Sequence, residues 1–298
     1  MLKIKGIDSE KCIKCEKCIP ACSVKLFSVV RTENMEKKIH FEDPIRFCFR
    51  CGHCIAVCPT EAILYEGADP PYNFKEAKNP PSIINYEDLM KFMRSRRSIR
   101  VFKDEPVSEE SINKILEAMR YSPSASNRQN RRYLVLNRPE IISYLSDQVS
   151  KLMIKAKRLL VFKYLAVPFT SGLVRRRLLN PKTKLSLIRF LEDKKQGKDG
   201  IFFNAPCVII LHAPPYSKMT ASDSAIAITH GMLAAHSLGL GTCWIGFAQE
   251  YLWRYKKTRT KLGIPKQNNV YGVFIVGHPD ITFERAPPRR EAKIDWKK

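Results

Sequence analysis

One cysteine spacing, used twice, constrains this chain more than any other feature. Cys12, Cys15, Cys18 and Cys22 follow C-x2-C-x2-C-x3-C, and Cys48, Cys51, Cys54 and Cys58 follow it again, each 36 residues after its counterpart. A fixed offset of this kind marks an internal duplication. Three closely spaced cysteines on a tight loop can reach three corners of one iron–sulfur cubane, whereas the fourth lies a turn further on, faces away, and suits the other cluster. That logic assigns Cys12, Cys15, Cys18 and Cys58 to one [4Fe–4S] cluster, and Cys48, Cys51, Cys54 and Cys22 to a second. Zinc sites generally use separated cysteine pairs rather than a run of three. A c-type haem needs histidine next to a C-x-x-C pair, but Ile19 and Ile55 follow Cys18 and Cys54, and His53 reads as a solvated loop residue. Eight of the ten cysteines fall before residue 60, a density confined to one segment that speaks against a disulfide scaffold. Cys207 and Cys243 stand in apolar runs and are expected in the core as small hydrophobes.

On these residues the N-terminal segment, about 5–65, resembles the bacterial two-cluster ferredoxins. Cys58-Pro59 matches the family's Cys-Pro ending; Cys22-Ser23 departs from it without removing a ligand. Between the repeats, Arg31 to His40 is an extra charged stretch that reads as a longer hairpin. The expected organisation is a ferredoxin-like domain over 1–65, a linker over 66–85 and a larger domain over 86–298. Pro70-Pro71 and Pro80-Pro81 bracket the polar linker, a composition that favours extended, polyproline-like chain.

In the larger domain, Asn85 can cap a helix from Tyr86 to about Arg96, and Ser108 a second one carrying the apolar stripe Ile112, Ile115, Leu116 and Met119. Tyr121 to Asn127 is a polar turn-forming segment. Strands are expected at Arg132–Leu136, Pro206–Leu211 and Val270–Val276, and a helix from Ser222 to His236 ahead of Gly239-Leu240-Gly241-Thr242-Cys243-Trp244-Ile245-Gly246. No G-x-G-x-x-G follows a strand, so a Rossmann nicotinamide site is not expected. Arg96, Arg97, Ser98 and Arg100 form a basic cluster able to clamp a phosphate bidentately. By charge alone the same residues read equally as an exposed basic helix end.

The order RRSIRVF, YSPSASN, GLGTCWIG and a basic C-terminal tail resembles the FMN-dependent nitroreductase family over about residues 86–298, excluding an insert at 150–200. The resemblance implies an α+β fold, with a ferredoxin-like 2[4Fe–4S] domain followed by an FMN-dependent nitroreductase fold, and a homodimer carrying FMN at its interface. It implies that Arg96, Arg97 and Ser98 contact the phosphate and ribityl chain, and that Arg100 stands beside flavin N1 and O2. Pro123, Ser124 and Ser126 match a segment that reaches FMN, typically from the partner subunit. Ile245 and Gly246 match the backbone amides facing N5 and O4. Arg289 and Arg290 match a basic pair near the phosphate, and Trp296 an aromatic near the chain end. A further polar contact to the ring is expected before Asn204, where the insert breaks the alignment; Lys198 is the nearest candidate. No side chain stands out as a proton donor, so chemistry is expected at flavin N5.

The formal net charge of +23 is uneven. Residues 1–80 hold 13 Lys or Arg against 11 Asp or Glu, whereas residues 151–200 hold 14 against 3. This basic and apolar insert is expected to form a helical cap broken at Pro168 and Pro181, with docking of an acidic redox protein or contact with a membrane surface as alternatives. No nucleic-acid-binding motif accompanies the charge. Met1 to Glu10 lacks a long apolar run, so a cytoplasmic location is expected. The expected activity is electron passage from the clusters, or from NAD(P)H, through FMN to a small acceptor: a nitro compound, a quinone or an activated alkene. The rival expectation is a non-catalytic electron-transfer or redox-sensing module serving a protein partner.

Overall fold

The computed structural model describes residues 2–161 and 181–297. It divides into two compact units, the first comprising Met1–Tyr86 with Ser124–Gln129, and the second Glu87–Pro123 with Asn130–Lys298.

The first unit shows the duplication as structure. Strand β1 (Lys3–Ile7) pairs antiparallel with β4 (Ile63–Glu66), and β2 (Phe27–Arg31) with β3 (Lys37–Phe41). A short helix follows each cysteine loop, α1 (Cys18–Ala21) and α2 (His53–Val57). The charged stretch between the repeats is the β2–β3 hairpin, closed by Met35 N–H to Thr32 O and Thr32 N–H to Glu36 O. So small a unit buries little: Ile4, Phe27, Ile39 and Ile63 pack around Cys18 and Cys54. The stretch over 66–85, whose composition favours extended chain, contains two short turns. Glu66 ends β4, and Lys75–Lys78 and Pro80–Ser82 are 3-10 turns. Proline's fixed φ suits the first turn of a helix as well as it suits extended chain, so Pro80 opens a turn here. Ser124–Gln129 clusters with this unit rather than with the domain expected over 86–298; its Asn127 Nδ2 donates to Arg50 O at 2.5 Å.

The second unit is three-layered. Its antiparallel sheet has the order β5-β6-β8-β7, from Arg132–Leu136, Cys207–Ala213, Asn269–Gly277 and Gly241–Trp244. Alternate residues of a strand point to opposite faces, so a strand apolar at every position must be covered on both. Strand β6 is buried throughout. Val208 and Ile210 join one core with α5 (Pro139–Val161) and α8 (Gly246–Arg254). Cys207, Ile209 and Leu211 join another with α4 (Glu109–Arg120) and α7 (Met219–Ser237). Burial pushes the Cys207 thiol up to about 12, which keeps it inert at neutral pH. Ser108 caps α4 as its sequence predicts, accepting Ser111 N–H at 3.2 Å, and Ile112, Ile115 and Met119 are buried. The unit also contains α3 (Tyr86–Ser95), α6 (Pro181–Lys195) and α9 (Lys256–Lys261). Pro181, expected to break a helix, starts one; the rest of the expected cap, 162–180 with Pro168, lies outside the described residues. Among the described residues no helix is long and apolar enough to cross a membrane.

A register shift between Leu211 and His212 re-aims His212. Its Nδ1 accepts from Asn268 Nδ2 at 2.8 Å, and the residue is buried. Burial first, then the charge of Arg132, lowers its pKa below the ordinary 6.5. A group depressed in this way is neutral in both states above the ordinary value. Below it the unfolded chain gains a proton that the fold refuses, so stability falls with pH. The urea midpoint, followed by the fluorescence of Trp244, Trp253 and Trp296, should therefore drop as pH falls through 6.5, and His212→Gln should flatten that slope. An unchanged slope in the variant would assign the acid loss to other groups.

Candidate functional site

The eight repeated cysteines converge as two foursomes, each mixing the repeats. Cys12, Cys15, Cys18 and Cys58 line one cavity with Ile7, Ile39 and Ile63. Burial raises the Cys18 thiol, and charge on Cys12, Cys15 and Cys58 adds to the shift. Burial raises Cys54 to about 12, with Cys51, Cys48 and Cys22 adding to it. Thiols so raised would stay protonated unless a cation paid for the thiolate, which is what an iron cluster supplies. Among the described residues no group of three His, Cys, Asp or Glu is placed to hold a single metal ion.

Backbone amides point at the sulfurs. Leu26 N–H donates to Cys22 Sγ at 3.4 Å, Arg50 N–H to Cys48 Sγ at 3.4 Å, and Ala62 N–H to Cys58 Sγ at 3.3 Å. Hydrogen bonds to cluster sulfurs are one of the levers on potential. Cys58 carries more of them than burial can offset: amides and the hydroxyl of Thr60, with Ala62 N–H, lower its pKa despite desolvation. The shared Lys14 and Arg50 positions explain how loops this tight close: each stands between two cysteines with positive φ, 57° at both.

The basic cluster of the second unit is held by the sheet edge. Ser98 bridges Thr242 of β7 in parallel, Ile99 N–H donates to Thr242 O at 2.9 Å, and Phe102 bridges Pro279 beyond β8. Ile99 lies so close that a Cβ on Gly241 would come within 2.8 Å of it, so glycine is required there. This path carries Arg96 inward. Its Nη1 is a buried side-chain atom that has no hydrogen-bond partner among the described residues. Desolvation first, then Arg97 and Arg289, push its pKa down. Three guanidinium groups sharing one field, with a buried donor unspent, fit an anion with several acceptor oxygens.

The remaining expected contacts divide. Arg97 is committed elsewhere, donating to the carbonyls of Arg94, Arg96 and Arg285 and lying 5.9 Å from the Phe283 ring. It ties down the C-terminal segment that brings Arg289 near; Arg289, Arg290 and Trp296 are all exposed. Arg100 is exposed, with Nη1 at 3.5 Å from Ser98 O. Ile245 N–H donates to Val273 O at 2.7 Å, so that amide is spent on the sheet. Gly246 opens α8, where the first N–H groups have no intrahelical acceptor. Pro123 belongs to the second unit, and Ser124 and Ser126 to the first. Ser124 Oγ accepts Gln129 N–H at 3.1 Å, and Ser126 has φ 52°. Lys198 lines a cavity together with Ser146, Asp199 and Asn204.

Three residues at this site escaped the sequence. Arg131 is buried and donates to Ser122 Oγ, Ser122 O, Pro123 O and Asp223 O, fixing the root of the YSPSASN turn. His236 meets Ser95 Oγ at 2.6 Å, and its ring lies tilted against that of Phe92 with centroids 4.9 Å apart; burial, then Arg96 and Arg97, lower its pKa. Phe203 lies with its ring centroid 5.8 Å from Arg100 Cζ. Cys243, expected as a core residue, is buried in the core and also neighbours Arg96 and Arg100, burial outweighing their pull on its thiol.

Comparison with known proteins gives two family matches. Residues 93–278 match the Nitroreductase family, and residues 11–62 the 4Fe-4S dicluster domain. A curated relative, the "Putative NADH dehydrogenase/NAD(P)H nitroreductase" of Archaeoglobus fulgidus, is 28% identical over 194 residues, 65% of this chain and 86% of that one. An uncharacterized ferredoxin of Methanocaldococcus jannaschii is 31% identical over 64 residues, 22% of this chain and 79% of its own. Among solved structures, a nitroreductase with bound FMN from Desulfitobacterium hafniense DCB-2 superposes with TM-score 0.52 at 22% identity, covering 70% of this chain and 97% of that one.

Proposed function

The chain belongs to the nitroreductase family, with a 4Fe-4S dicluster domain ahead of the nitroreductase domain, and from that premise we propose that it is an oxidoreductase reducing a small oxidised organic molecule with electrons drawn through its own iron–sulfur domain. FMN, when bound, supplies hydride or paired-electron transfer at N5, and the two [4Fe–4S] clusters supply single electrons. Everything else is the work of the protein's residues. Cys12, Cys15, Cys18 and Cys58 hold one cluster, and Cys22, Cys48, Cys51 and Cys54 the other. Arg96 offers its unspent Nη1 to the phosphate, with Arg289 adding charge and Arg97 holding the segment between them. Arg100 would supply a cation beside the flavin ring, where negative charge accumulates on reduction. Gly246 N–H, rather than that of Ile245, would be the amide free to meet the flavin ring.

The observation that carries the flavin reading is the buried, unpartnered Arg96 Nη1 at the edge of β7. A donor left unsatisfied in a protein interior costs stability, and a phosphate would remove that cost. The acceptor belongs to the nitro compounds, quinones or activated alkenes. A homodimer completes each site with Pro123, Ser124 and Ser126 of the second subunit. The donor is an acidic redox protein or NAD(P)H.

The test is made on protein purified under argon. Pre-reduced enzyme mixed with a nitroaromatic or a quinone should reoxidise over many turnovers with release of reduced product. Reoxidation by a protein acceptor alone would favour the electron-relay reading, and absence of either chromophore would end both.

A further inference from the structure

We infer that Phe203 is a positioning residue for Arg100, its ring held in a strained turn so that the guanidinium is fixed at one place beside the flavin. The inference rests on the reading of Arg100 given above and extends it to a residue that no motif marks.

The turn is unusual before any function is considered. Phe203 has φ 56° and Asn204 φ 54°, both in the left-handed region. Asparagine tolerates that region, but a bulky aromatic pays for it, and such strain persists only where the surroundings over-determine it. Here they do. The Asp199 carboxylate accepts Ile201 N–H at 2.9 Å, Phe202 N–H at 3.2 Å and Ser146 Oγ–H at 2.6 Å. Asp199 O accepts Phe203 N–H, and Phe202 O accepts Ala205 N–H, both at 3.0 Å. Ile201, Phe202 and Ala205 on either side are buried in the core.

Glycine would satisfy the backbone at 203 without strain, so the backbone alone does not account for the ring. Part of the ring packs on the core, and the guanidinium of Arg100 lies 5.8 Å from its centroid. Among the described residues Arg100 has no carboxylate partner, and its one carbonyl contact, Ser98 O at 3.5 Å, sits at the outer limit of a hydrogen bond. The buried Cys243 thiol is its other polar neighbour, so few groups anchor this exposed arginine. An aromatic face within about 6 Å of the cation restricts it and removes water from one side while adding no opposing charge. A carboxylate would also fix Arg100, but it would cancel the field the flavin needs.

The experiment compares the affinities of full-length protein for oxidised and reduced FMN, under argon, in the native chain, Arg100→Ala, Phe203→Leu, Phe203→Tyr and the Arg100→Ala/Phe203→Leu double variant. Arg100→Ala should lose affinity for reduced FMN relative to oxidised by about tenfold or more. Phe203→Leu keeps the apolar contact with the core but not the ring, and should lose about threefold in the same ratio. Phe203→Tyr should restore the native ratio, and the double variant should match Arg100→Ala alone, because the ring then has no cation to hold. If Arg100→Ala shifts the ratio and Phe203→Leu does not, or if Phe203→Leu acts equally without Arg100, the inference on Phe203 is overturned and the flavin reading stands. If Arg100→Ala leaves the ratio unchanged, the placement of Arg100 fails and takes this inference with it.

Discussion

Replacing Cys58 by alanine is expected to remove the cluster assembled on the first cysteine group and to spare the one on the second. Cys58 belongs by sequence to the second repeat, yet its sulfur lines the cavity of Cys12, Cys15 and Cys18. Cys22 does the reverse, adding to the field at Cys48 and Cys54. Each substitution should lower bound iron from about eight to about four per chain, the full content of one [4Fe–4S] cluster. Which cluster survives is read by pairing. Cys58→Ala should make Cys15→Ala redundant, with no further iron lost, whereas Cys22→Ala should make Cys51→Ala redundant. If Cys58→Ala instead made Cys51→Ala redundant, the repeats would not interleave and the ligand sets would have to be redrawn. The unit has little apolar core besides the cysteines, so cluster loss should also lower its stability.

A second large effect is expected at Arg96. Its Nη1 is buried and unspent, so removing the side chain relieves a strain in the empty site and deletes a charge-assisted contact in the filled one. Such contacts are worth about 1.5–3 kcal/mol, so Arg96→Ala should weaken FMN binding about tenfold to a hundredfold. Arg96→Lys should recover only part of this, because a point charge cannot reproduce the planar fork. Riboflavin, which lacks the phosphate, provides the control. Its affinity should be nearly the same in the native chain and both variants, measured by quenching of flavin fluorescence. An equal loss for riboflavin and FMN would mean that Arg96 supports the fold of the site rather than the phosphate.

The parts of this molecule that the sequence made legible share a physical property: they are repeats or periodicities whose meaning is local. The cysteine spacing, the unbroken apolar run of β6, and the capping serine before α4 each act within a few residues of themselves. The order of RRSIRVF, YSPSASN and GLGTCWIG was legible as a resemblance, and the family match bears out the fold it implied. What stayed hidden depends on partners distant in the chain. Arg131 is one basic residue among the 52 Lys and Arg until its guanidinium is seen bound to four acceptors around Ser122, Pro123 and Asp223. Phe203 was marked by no motif, since a positive φ leaves no trace in composition. Ile245 was matched to a flavin-facing amide, but strand pairing with Val273 claims that N–H first. The turn at Pro80-Pro81 was hidden for a related reason, since a fixed φ is common to extended chain and to the first turn of a helix.

The pairing of Ser98 with Thr242 joins positions 144 residues apart, from 98 to 242, and it ties the basic cluster to the sheet. Contacts so distant close late, because the intervening polypeptide must already be organised before they repay their loop entropy. A growing chain would therefore have its cysteine loops complete and available to iron long before it could retain a flavin. Loading should be ordered, metal early and FMN only after the last strand has joined.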